Sequence, residues 1–136
     1  MNTYIAAPWV DRELAKSAAH QCVWAGLKIV STWHERTAPN TVDQAIQDLN
    51  DLWDADALLL LNTRLSEGKA VECGWALAHH IHVVVVGTRS DANIFHYLPE
   101  VTMVPTVAAA IEYLQDVEKP RKTTLDLYTY DGCGER

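Results

Sequence analysis

Two acidic side chains, Glu72 and Asp48, occupy settings that solvation alone does not explain. Glu72 lies in "SEGKAVECGWALAHH", residues 66–80, six positions after Ser66 and one turn into a helix. A carboxylate near a helix start is favoured by the helix dipole, and that would be reason enough for a surface residue. Here Val71, Cys73, Ala76 and Leu77 surround it with apolar neighbours, so partial enclosure is expected, where a carboxylate needs a partner or a task. Asp48 comes from the helix expected after Asn40 or Thr41, either of which can cap it. On a wheel of about 100° per residue, Val42, Ala45, Ile46, Leu49, Leu52 and Trp53 form an apolar stripe. Asp43, Gln47, Asp51 and Asp54 fall opposite that stripe, and the three aspartates read as solvated, whereas Asp48 falls on its edge beside Leu52 and looks along the core. Two carboxylates facing one pocket suit cleavage of a glycosidic bond. One attacks or stabilises the anomeric carbon while the other manages the proton on the leaving group.

The elements that must position these residues alternate along the chain. "TYIAA" is a short β-rich run, followed by a helix from Asp11 to about Ala25 with Leu14, Ala18, Cys22 and Ala25 at helical spacing and Gly26 at its stop. "LKIVST" reads as a second strand. "ALLLLN" and "HVVVVGT" are continuous apolar runs of the kind found in central parallel strands covered on both faces. "DANIFHYL" predicts a short helical piece, "VTMVPT" an edge strand and "VAAAIEYLQDV" a last helix. Strand alternating with helix predicts a three-layer α/β domain, Rossmann-like or flavodoxin-like, with an open parallel sheet of about five strands. It occupies residues 1–118, and residues 119–136 form a polar C-terminal tail in which "LDLYTY" has enough alternation to pack as an extended segment.

Ligands of such sheets gather beyond the carboxyl ends of the strands, which selects the loops "AAPWVDR", "STWHER", "NTRLSEG" and "GTRSD". No glycine-rich dinucleotide turn follows the first strand, and no G-x-x-x-x-G-K-[ST] motif is present. The acidic strand ends of a phospho-receiver domain are also missing. What remains is "SEGKAVE", where Ser66, Gly68 and the free N–H groups of a helix start can surround an anion such as a phosphate. A net charge of -7 without a basic cluster argues against a nucleic-acid polymer as ligand. No apolar run approaches the roughly 20 residues of a membrane span, and the start "MNTYIAAPW" lacks the zones of a signal peptide, so a cytoplasmic protein is expected. Cys22, Cys73 and Cys133 read as thiols. His79, His80 and His82 stand where a helix ends, a position that favours histidine without any metal.

With these pieces in hand, the chain resembles the nucleoside 2-deoxyribosyltransferase superfamily, including its nucleotide N-glycosidase branch. The resemblance rests on "YIAAPW" with "DRELA" after it, on "STW", on "IQDLNDLWDADALLLL" and on "SEGKAVECGWALAHH", in that order. It implies that Glu72 is the nucleophile at C1′, that Asp48 protonates or orients the departing base, and that Tyr4 hydrogen-bonds the catalytic carboxylate. Without the resemblance, Tyr4 reads equally as a core aromatic. The loops holding Ala7, Pro8 and Trp9, and Trp33 and His34, would border base and sugar; these rings either stack on a base or cover the sheet end. The nucleoside transferases resemble one another in an Asp at position 66. Ser66 instead would accept a phosphate, as in the nucleotide-hydrolysing branch, whereas "AAPW" is nearer the transferases than the Gly-Ser-x-Arg turn of the hydrolases; Arg12, Arg64 or Arg89 could compensate.

The resulting expectation is an enzyme cleaving the N-glycosidic bond of a (deoxy)nucleoside 5′-monophosphate, with water as acceptor and no metal or cofactor. Base exchange by a nucleoside 2-deoxyribosyltransferase is the alternative, and a non-catalytic nucleotide-binding or regulatory protein the second. The "KPR" and "LDLYTYDG" stretches are similar to transferase tails that complete a neighbour's site, which implies a homo-oligomer, dimer or higher.

Overall fold

The computed structural model describes residues 1–37, 40–89 and 92–117. The tail from 119 on, including "LDLYTY" and Cys133, lies outside the described residues. Five parallel strands, β1 (Asn2–Ala6), β2 (Lys28–Ile29), β3 (Ala57–Leu61), β4 (His82–Val86) and β5 (Val101–Val104), form one sheet in the order β2-β1-β3-β4-β5. This is the flavodoxin-like order of a doubly wound sheet, with its reversal between β1 and β3. The helices are α1 (Arg12–Trp24), α2 (Val42–Trp53), α3 (Glu67–Ala78) and α4 (Val107–Asp116). α1 packs with α4, and α2 with α3.

The strand composition explains the layering. All five residues of β3 are buried, as are Val83, Val84 and Val85 of β4, because helices cover both faces of the central strands. β2 is shorter than "LKIVST" suggests. After Val30 N–H bonds Thr3 O at 2.9 Å, the next donor of β1, Ile5 N–H, is taken by Ser31 Oγ at 3.0 Å, so a side chain replaces the backbone ladder. Gly26 ends α1 at φ +90, with Leu27 N–H reaching back to Cys22 O at 2.9 Å. The inner face of α1 consists of Ala15, Ala18, Ala19 and Cys22, whereas Leu14 points outward. Small side chains there let the helix lie close to the sheet.

α2 departs most from expectation. Thr41 caps it, accepting Gln44 N–H at 3.3 Å. Its apolar stripe nevertheless faces outward, with Val42 76 % and Ile46 52 % exposed and Leu49 and Trp53 also exposed; Leu52 alone of the six residues is buried. The inward face carries Gln44, Asp48, Asp51 and Leu52.

Candidate active site

Tyr4 on β1 touches Glu72 on α3 beside the sheet's topological reversal, and Asp48 on α2 lies within electrostatic reach of both. Tyr4 pairs in register with Leu58 of β3, which places it on the strand where the order switches. Its hydroxyl donates a hydrogen bond to Glu72 Oε2. Burial raises the Tyr4 phenol far above its ordinary range, and the negative charges of Glu72, Asp48 and Asp51 add to that, so the phenol keeps its proton and acts as a donor. Burial also pushes the Glu72 carboxyl up to about 7; the Tyr4 hydrogen bond opposes this rise and the nearby Asp48 charge adds to it. Glu72 is therefore a carboxylate poised near neutrality, in contact with a fixed donor.

Asp48 is held differently. Arg36, in the loop after β2, grips it with two bonds, Nη2 to Oδ1 at 2.7 Å and Nη1 to Oδ2 at 3.4 Å. Beside it, Asp51 is buried and accepts from Thr32 Oγ1 at 2.6 Å and from Gln47 Nε2 at 2.7 Å. The solvated reading of Asp51 is thus corrected, because the polar side of α2 turns inward to meet this loop. Arg36, Thr32 and Asp51 escaped the sequence reading; the helical period separates the two faces of α2 but does not say which faces the sheet.

The rim residues divide. Trp33 and His34 are both buried, with Trp33 Nε1 donating to Ile5 O at 2.7 Å and His34 Nε2 lying 3.1 Å from Ser31 Oγ. Ala7 and Pro8 are buried too, while Trp9 is exposed above Trp33, with ring centroids 6.2 Å apart. Arg12 stacks on the Trp9 ring at 4.9 Å, and Arg89 on Tyr97 at 4.6 Å. Buried Asp11 joins the loops after β1 and β3, accepting from Thr63 Oγ1 at 2.5 Å and from Arg64 Nε and Nη2 at 3.0 and 3.2 Å.

At the start of α3, Ser66 Oγ caps the helix, accepting Lys69 N–H at 3.3 Å. A Cβ at Gly68 would meet nothing within 4 Å, so the first turn is open beside it. Ser66 also lines a cavity of about 910 Å³ between α3 and the 3-10 turn Ile94–Tyr97; neither Glu72 nor Asp48 lines it. At the other end of α3, His79 packs its ring against Trp53 and Trp75, at 5.1 and 4.4 Å between centroids.

The arrangement of strands and helices matches a solved structure, the CMP N-glycosidase BcmB of Clostridium botulinum, at a TM-score of 0.53 and 14% identity over 85% of this chain and 98% of that one. The chain shares that enzyme's fold. No protein-family model matches the sequence, and no curated protein matches it.

Proposed function

We propose that the chain is a nucleotide N-glycosidase of the nucleoside 2-deoxyribosyltransferase superfamily, cleaving the bond between base and sugar in a (deoxy)nucleoside 5′-monophosphate. The observation that carries this reading is the Tyr4 to Glu72 hydrogen bond beside Asp48 at the sheet's reversal. Likeness to a CMP N-glycosidase supports the substrate class.

In this reading the Glu72 carboxylate attacks C1′ as the C1′–N bond breaks, with Tyr4 holding it in place. Asp48 orients the departing base and manages its proton, and Arg36 fixes Asp48 in turn. Water then displaces Glu72 from C1′, releasing a pentose 5-phosphate. Ser66, Gly68 and the first N–H groups of α3 receive the phosphate. Ala7, Pro8 and Trp9 border the base, and buried Trp33 and His34 support that edge from beneath.

The test is to incubate the chain with nucleoside 5′-monophosphates, CMP first, and with deoxynucleosides, following free base by chromatography. Base release from monophosphates is expected, lost by about 10³-fold or more in Glu72→Gln, whose folded circular dichroism spectrum should be unchanged. Release only when a second base is supplied would assign base exchange instead. Ligand-induced stabilisation without any release would assign a nucleotide-binding protein, and undiminished turnover by Glu72→Gln would refute the mechanism.

A further inference from the structure

The cavity beside α3 touches the proposed phosphate site at Ser66, but neither Glu72 nor Asp48 lines it, and it contains polar groups that its own walls leave unsatisfied. Its volume, about 910 Å³, falls in the range of small-molecule sites, and Leu60, Cys73, Leu77 and Leu98 give it apolar walls. Two buried basic side chains line it. Lys69 is 5 % exposed and His96 1 %. Lys69 Nζ donates to Asn62 Oδ1 at 2.9 Å and to Arg64 O at 2.5 Å, which leaves the third N–H of an ammonium. No carboxylate pairs with Lys69 among the described residues. Neither ring nitrogen of His96 has a hydrogen-bond partner among them.

Asp11 acts on Lys69 only from a distance, and a buried ammonium without a direct ion pair and a buried imidazole without a partner each cost free energy that an occupant can return. Both groups donate, so the occupant presents an acceptor, and beside a lysine a negatively charged one binds best. The walls exclude a compact inorganic anion as the natural fit, since most of the lining surface is apolar. We infer that this cavity is a second ligand site, separate from the glycosidic site, for a small apolar carboxylate whose head meets Lys69 and His96 and whose tail fills the space along α3. The site adjoins the reaction at Ser66, the cap of α3, and through α3 itself: Cys73 lines the cavity, and its neighbour Glu72 faces Tyr4.

Gly74 provides a clean control. It lines the cavity, and a Cβ there would meet nothing within 4 Å, so Gly74→Leu starts into open space on the cavity side and raises helix propensity. Titration calorimetry on the full chain would compare 4-phenylbutyrate with its neutral counterpart, 4-phenylbutan-1-ol. The carboxylate is expected to bind, with the alcohol at least tenfold weaker and Lys69→Met costing the carboxylate a similar factor. Gly74→Leu should lose binding while still melting cooperatively and still releasing base. Absence of carboxylate binding, equal binding of the alcohol, or undiminished binding by Gly74→Leu would overturn the site. Displacement of 4-phenylbutyrate by CMP would overturn its separateness. Glu72→Gln should bind the carboxylate like the wild type, so failure of the glycosidase reading and failure of this one are told apart.

Discussion

In the proposed reaction Glu72 is the residue on which the chemistry turns, and its environment makes two measurable demands. A nucleophilic carboxylate must be ionised, so kcat/KM should rise about tenfold per pH unit below neutrality and level off above about 7, the value to which burial raises this group. Tyr4 opposes that rise by donating to Oε2, so Tyr4→Phe should move the limb to higher pH and lower activity most below pH 7 and least on the plateau above it. A pH profile unmoved by Tyr4→Phe would remove Tyr4 from the site. The second demand falls on stability. With a folded pKa above the ordinary 4.5, this group favours folding at low pH and loses that contribution as pH rises from 4.5 to about 7. Glu72→Gln removes the cost of burying the charge, so it should stabilise the protein at pH 8 by about 1–3 kcal/mol. Near pH 4.5 the gain should vanish. Thermal melts of both proteins at the two pH values check it, and equal melting temperatures at pH 8 would mean a well-solvated Glu72.

At the scale of the element, α2 and α3 deliver the two carboxylates from one side of the sheet, and only α3 was fully readable. The start of α3 was encoded locally, since Ser66 accepts Lys69 N–H as a cap should. Apolar runs of strand length likewise announced β3 and β4, because strands covered on both faces need no alternation. For α2, period and cap were correct but the facing was inverted. A helical wheel ranks sides by hydrophobicity, and here the sheet side is the polar one, held by Arg36 to Asp48 and by Thr32 and Gln47 to Asp51. Those partners lie in a loop or on the helix itself, where the wheel takes no account of them. The correction yields a contrast between two aspartates that had read alike. Asp51→Ala removes the charged acceptor of the Thr32 hydroxyl and the Gln47 amide and should cost about 1–3 kcal/mol, whereas exposed Asp54→Ala should change stability by less than about 0.5 kcal/mol. Urea titrations of both variants test this, and similar midpoints would contradict the buried placement of Asp51.

At the scale of the whole molecule, the inverted helix leaves a surface to be accounted for. Val42, Ile46, Leu49 and Trp53 lie exposed on α2, and Val71 lies exposed on α3, which packs against it. Exposed apolar stripes of this kind mark association. A homo-oligomer remains our proposal, with α2 as the contact: two copies related by a twofold axis would bury the same stripe against itself. Such pairing accounts for an amphipathic helix that turns carboxylates toward its own sheet. The outer side then serves as the hydrophobic face and the inner side is free to carry Asp48. The double variant Ile46→Asp, Leu49→Asp places charges in that contact, and sedimentation should find it monomeric while the wild type sediments as a dimer or larger. Because Ile46 and Asp48 share one helix, loosening the outer face should also misplace the inner carboxylate and reduce base release by about tenfold or more. A wild type that is monomeric at tens of micromolar would refute the pairing. A monomeric variant with full activity would keep the pairing but separate it from the chemistry.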